Sequence, residues 1–141
     1  MKKREILILA VIACLSLIAV LYMNLKPRRS SYQVDDGDDV TSLDLPKEKA
    51  QGDWIAVVHR NRVILWFDSG VDADYTVYGN VGHMHIEVKD RKWHVLDVDC
   101  FDYTCKNMGW MDIDSYLYII CLPNDLVIVD GNTAMNILNG E

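Results

Sequence analysis

The sequence predicts a small all-β domain, a sandwich or barrel of about seven short strands, behind one N-terminal transmembrane helix and a polar linker. Three observations predict it. Residues 6–25 carry no charge. Beyond residue 53, runs rich in Val, Ile, Tyr and Trp recur at intervals of about 8–12 residues. Gly, Pro, Asn and Asp separate those runs, as turns between strands require.

The first element is ILILAVIACLSLIAVLYMNL. A helix of that length spans roughly 30 Å, the hydrocarbon thickness of a bilayer. A cleaved signal peptide has a shorter apolar run of about 7–15 residues. Residues 1–25 therefore read as a membrane anchor. Val11-Ile12-Ala13-Cys14 resembles a lipoprotein processing site, but strongly apolar sequence continues past Cys14. Lys2, Lys3 and Arg4 precede the helix, and Lys26, Arg28 and Arg29 follow it, so charge alone nearly balances across it. A short basic N-terminus and clustered downstream cysteines favour a C-terminal domain outside the cytoplasm.

Residues 26–52 read as a disordered acidic linker, with Asp35, Asp36, Asp38 and Asp39 in one run and little apolar periodicity. That run lacks the ligand spacing and terminal Glu of a calcium loop. From residue 30 onward the chain holds 8 Lys and Arg against 20 Asp and Glu, a net charge of −12. Such a surface repels phosphate backbones, which excludes nucleic acid as a partner.

The β domain is expected over 53–131. Its strands are WIAVVH (54–59), RVILWF (62–67), YTVYG (75–79), MHIEVK (84–89), WHVLDV (93–98), YLYIICL (116–122) and DLVIVD (125–130). With Asp90-Arg91 as a two-residue turn, Val88 faces Trp93, Glu87 faces His94, Ile86 faces Val95 and His85 faces Leu96. Met84, Ile86, Val88, Trp93 and Val95 then share an apolar face, and a one-residue slip would scramble it. The opposite face gathers His85, Glu87 and His94, a weak candidate metal set, since diagonal neighbours lie roughly 7–8 Å apart. Nothing in the sequence supplies the outer partners such a site needs. Residues 132–141 read as a C-terminal tail that adds a helical turn or frays.

Cys100, Cys105 and Cys121 are the remaining candidates for chemistry. A structural zinc site takes four ligands, and no fourth Cys or adjacent His completes one. An iron–sulfur cluster also needs another ligand, and the spacing is not a redox C-x-x-C. No His follows residue 94 to serve as a nearby base in sequence. A disulfide joining Cys105 or Cys100 to Cys121 would contribute roughly 3 kcal/mol. Three reduced thiols packed as small hydrophobes is the alternative. No cofactor is implied.

The stretch GHMHIEVKDRKWHVLDVDCFDYTCKNMGWMDIDSYLYIICLPNDLVIV (82–129) resembles the NusG domain II family. Ile86-Glu87-Val88, Cys100, Asp102, Cys105, Gly109-Trp110-Met111 and Ile120-Cys121-Leu122-Pro123-Asn124 carry the resemblance; Arg91, Phe101 and Tyr103 depart from it. It implies an all-β fold, an anchored extracytoplasmic position and no enzymatic activity. Within the motif, Gly109 is expected to permit a bend that lays the Trp110 indole over the thiols. Pro123-Asn124 is expected to make a tight turn, with Pro fixing φ and Asn accepting the left-handed region.

Two readings of function follow. The first is a non-catalytic module that binds a partner protein or supports a membrane complex. The second is a thiol-dependent redox or metal-binding protein associated with membrane electron transfer.

Overall fold

The computed structural model describes residues 2–24, 28–31 and 42–140. The linker's Asp run lies outside the described residues. The N-terminal helix α1 (Lys3–Asn24) is exposed over Lys3–Met23 and is long and apolar enough there to cross a membrane. After it come β1 (Arg28–Ser31), β2 (Trp54–His59), β3 (Arg62–Asp68), β4 (Ala73–Tyr78), β5 (His83–Lys89), β6 (Lys92–Val98), α2 (Thr104–Asn107), β7 (Ile119–Cys121), β8 (Leu126–Asp130) and α3 (Gly131–Asn139).

The strands form two open sheets, ordered β1-β4-β5-β6 and β3-β2-β8-β7. All neighbours are antiparallel except β1, which pairs parallel with β4. The sheets pack face to face around Ile55, Val57, Phe67, Val77, Met84, Ile86, Trp93, Leu126 and Ile128, so the architecture is a sandwich, not a barrel. Phe67 stacks on Tyr75 at 5.3 Å and meets Trp93 edge-on at 6.2 Å, joining both sheets.

Strand β2 shows how sequence sets the layers. Ile55 to Val58 are all apolar because both faces of the strand are covered. Ile55 and Val57 enter the sandwich core, whereas Ala56 and Val58 pack with Val63, Val129 and Ala134 in a second cluster on the other face. Ile137 and Leu138 of α3 close that cluster. The expected tail is thus a third layer. Asp130 caps α3, its carboxylate accepting from the Asn132 and Thr133 amides at 3.0 and 3.1 Å, and Gly140 ends it in the left-handed region.

The β5–β6 hairpin turns at Asp90 and Arg91, with φ of 52° and 62°, and keeps the expected Val88–Trp93, Glu87–His94 and Ile86–Val95 pairs. His85 departs from expectation. A bulge beside Ile86 makes His85 oppose Asp97 instead of Leu96. The extra residue leaves adjacent Leu96 and Asp97 both exposed and returns Val98 to the core.

Two other expectations are corrected. Residues 26–52 are not wholly unstructured, since β1 is a strand and residues 42–43 run beside β3. The Leu43 amide donates to the Val63 carbonyl at 2.9 Å, and Ser42 Oγ accepts from the Val63 amide at 2.9 Å. The Trp66 indole donates to the Leu43 carbonyl at 3.0 Å. The strand expected over 116–122 shortens to Ile119–Cys121, because only there does the backbone pair with β8.

Candidate functional site

The three C-terminal cysteines arrive from three elements. Cys100 follows β6, Cys105 lies in α2, and Cys121 ends β7. On β7, Ile119 and Cys121 point inward while Ile120 points out. Asp102 shapes the short turn into α2, its Oδ1 accepting from the Thr104 amide at 3.1 Å. Tyr103 takes φ 52° before the helix starts. The result brings all three Sγ atoms within 4.8 Å of one another, each buried. All four cysteines, Cys14 included, are unpaired thiols. In this structure the three sulfurs pack side by side with no bond between them.

Burial pushes the Cys105 thiol up to about 12, and the adjacent Cys121 and Cys100 sulfurs add to the effect. Burial likewise raises Cys100. Thiols of this kind stay protonated and are weak nucleophiles near neutral pH. Met108 and Met111 pack in the same apolar cluster.

Asn124 anchors the region. It is fully buried, and its Oδ1 accepts from the Val81 and Gly82 amides at 2.9 and 3.0 Å. Its Nδ2 donates to the Asp99 carbonyl at 2.9 Å and approaches Cys121 Sγ at 3.5 Å. One carboxamide thus ties residues 81–82, 99 and 121 together. The left-handed residue of this turn is Asp125, φ 52°, and not Asn124 as expected; the Asp125 amide donates to the Leu122 carbonyl at 3.1 Å. Asn124 is needed inside instead, where an extended set of backbone partners awaits it. Gly79 permits this approach, since a Cβ there would meet the Asn124 carbonyl oxygen at 2.5 Å.

Trp110 does not cover the thiols. Gly109 does bend the chain, at φ 76°, but the bend lays the indole on His94, ring centroids 3.9 Å apart. His94 Nε2 also pairs with Glu87 Oε2 at 2.7 Å. Two members of the weak metal set are thus engaged with each other. The third, His85, holds a buried Nε2 with no hydrogen-bond partner. Among the described residues, the group of metal-ligating side chains that converges is the thiol cluster.

The surface beside this cluster is apolar. Phe101, Tyr116, Leu117, Ile120 and Leu122 are exposed, Tyr116 at 99% and Leu122 at 81%. A depression next to β7 is lined by Trp93, Asp112, Ile113, Tyr116, Tyr118 and Asp130. Sequence reasoning assigned most of this stretch to a buried strand. The sign that it is a surface was its mixture of Asp112, Asp114 and Ser115 with the aromatic residues.

The sheet edges differ in how they are covered. Met111 bridges β6, exchanging backbone hydrogen bonds of 2.9 and 2.8 Å with Trp93. Residues 42–43 cover β3. The first sheet ends on the four-residue β1. Strand β7 ends the second sheet, and no backbone group of the described residues bonds its outer side.

Several known proteins are similar to this chain. A DUF1312 family protein from Enterococcus faecalis V583 is 27% identical, covering 55% of this chain and 93% of its own, with a TM-score of 0.50. A DUF1312 family protein from Ruminococcus gnavus ATCC 29149 is 21% identical, covering 55% and 95%, with a TM-score of 0.45. The Lin0431 protein from Listeria innocua is 17% identical, covering 55% and 92%, with a TM-score of 0.49. No curated protein matches. The family model of NusG domain II matches residues 6–130, strands and thiol motif included, and the chain belongs to that family.

Proposed function

We propose that the protein is a membrane-anchored, extracytoplasmic adaptor that docks an extended segment of a partner protein along the outer side of β7, without catalysis of its own. The observation that carries this reading is the β7 edge, which has no backbone pairing on its outer side although α2 packs near it, and which is flanked by Tyr116, Leu117, Ile120 and Leu122. An unpaired edge offers backbone hydrogen bonds to an added strand, and neighbouring apolar side chains supply affinity. Soluble proteins normally blunt such edges, as β3 and β6 are blunted here. Asp112 and Asp130 rim the adjacent depression, so the segment that fits carries apolar and basic side chains. The apolar length of α1 supports the anchor. Buried thiols with raised pKa give little support to redox cycling.

The test places a photo-crosslinking residue at Leu122 in the full chain, in its native membrane, and maps the captured peptide by mass spectrometry. The expected product joins Leu122 to an extended segment of another protein, and Ile120→Asp abolishes it. Cross-links only to a second copy of this chain, or capture unaffected by Ile120→Asp, would overturn the reading.

A further inference from the structure

We propose that Cys100, Cys105 and Cys121 form a site for one thiophilic closed-shell cation, Cu(I) or Zn(II). This inference is independent of the docking reading. Three sulfurs bound to one metal at about 2.3 Å lie about 4 Å apart in a trigonal array. The Sγ atoms here already sit within 4.8 Å of one another, so a small inward rotation of side chains completes the set. A disulfide would use two of the three thiols, whereas a cation uses all three.

The donor chemistry narrows the ion. An all-sulfur set selects soft cations over Mg²⁺ or Ca²⁺, which take oxygen ligands. Asp102 Oδ1 stands 3.5 Å from Cys100 Sγ, a neighbouring oxygen donor for an ion that takes four ligands. Asn124 Nδ2, 3.5 Å from Cys121 Sγ, is placed to support negative charge on that sulfur. The apolar shell that includes Met108 and Met111 keeps water from competing. Because the ligands come from β6's end, α2 and β7, the fold itself assembles the site. Binding breaks up to three S–H bonds and forms metal–sulfur bonds. The protons pass to solvent and no electron moves.

The test uses the full chain in detergent, reduced with a phosphine and stripped by a chelator. It is then divided between Zn(II) alone and Cu(I) alone under argon. One cation per chain is expected to survive desalting in at least one arm. X-ray absorption of that wild-type sample is expected to show three sulfur neighbours near about 2.3 Å. In the Zn(II) arm a fourth, oxygen neighbour is expected, from the Asp102 carboxylate or a water. Cys14→Ala should bind as wild type, and Cys121→Ala should bind at least about tenfold more weakly. Loss of metal on desalting in both arms overturns the proposal. So does a metal surrounded only by nitrogen and oxygen, a result that does not depend on any variant folding.

Discussion

Asn124 and Cys121 are in contact across the turn that ends β7, with the carboxamide Nδ2 3.5 Å from the sulfur. The same carboxamide satisfies two amides and a carbonyl from other loops, so it fixes where the thiol cluster meets the sandwich. Asn124→Ala removes the partner of two amides and a carbonyl in half-exposed loops and empties a buried side-chain site. Destabilisation of about 1–3 kcal/mol is expected. Urea unfolding of variant and wild type measures it. A loss under about 1 kcal/mol would mean water replaces the side chain.

Gly79 and Asn124 form a second close pair. Gly79→Ala drives a methyl against the Asn124 backbone and is expected to cost about 1–3 kcal/mol. Combined with Asn124→Ala, the two costs should add to less than their sum, because the second change frees part of the side-chain space. A double-mutant cycle in urea gives the coupling.

Asp68 gives a pH dependence. Burial alone would raise its pKa. The Gln51, Gly52 and Gly70 amides, donating at 2.6, 2.9 and 2.8 Å, outweigh it and lower the pKa below 3.8. A lowered native pKa contributes stability that is fully present above the unfolded value and is lost as pH falls through the folded one. Wild type should therefore exceed Asp68→Asn in stability at pH 6, with the gap closing as pH falls below about 4. Thermal melts across that range decide it, and a gap that is constant with pH contradicts the assignment.

The third layer rests on a cap. Asp130→Ala removes acceptors for the Asn132 and Thr133 amides and for the Thr133 hydroxyl at 2.7 Å. A cost of about 1–2 kcal/mol is expected. Hydrogen exchange should quicken in α3 and at Val58, Val63 and Val129 beneath it, and remain slow in β5 and β6.

At the β7 edge the expectation is the reverse. Leu117→Asp and Leu122→Asp change exposed side chains and should shift stability by no more than about 0.5 kcal/mol. Cross-linking to a partner from Leu122 should disappear in Leu117→Asp, and from Leu117 in Leu122→Asp. A large fall in melting temperature would show that these side chains pack inside instead.

The strands were legible because local rules and tertiary demands agree there. WIAVVH and RVILWF occupy the predicted β2 and nearly all of β3, and the Asp90-Arg91 turn set a register that survived as far as Ile86. The bulge beyond it carries no sequence sign, since Leu96 looks like a core residue until Asp97 and Val98 must be placed. The thiol cluster was legible as a set but not as a geometry, because α2 and the Tyr103 backbone that deliver Cys105 are too short to leave a periodic pattern. Trp110 misled for a related reason. The glycine bend was visible, but its direction depends on where His94 offers a ring face.

Strand β1 begins four residues after the last residue of α1. Four Cα steps span at most about 15 Å. If α1 is the proposed anchor, that reach would hold the β1–β4 margin close to the lipid headgroups. A polypeptide that shared this membrane would then find β7 by a search in two dimensions.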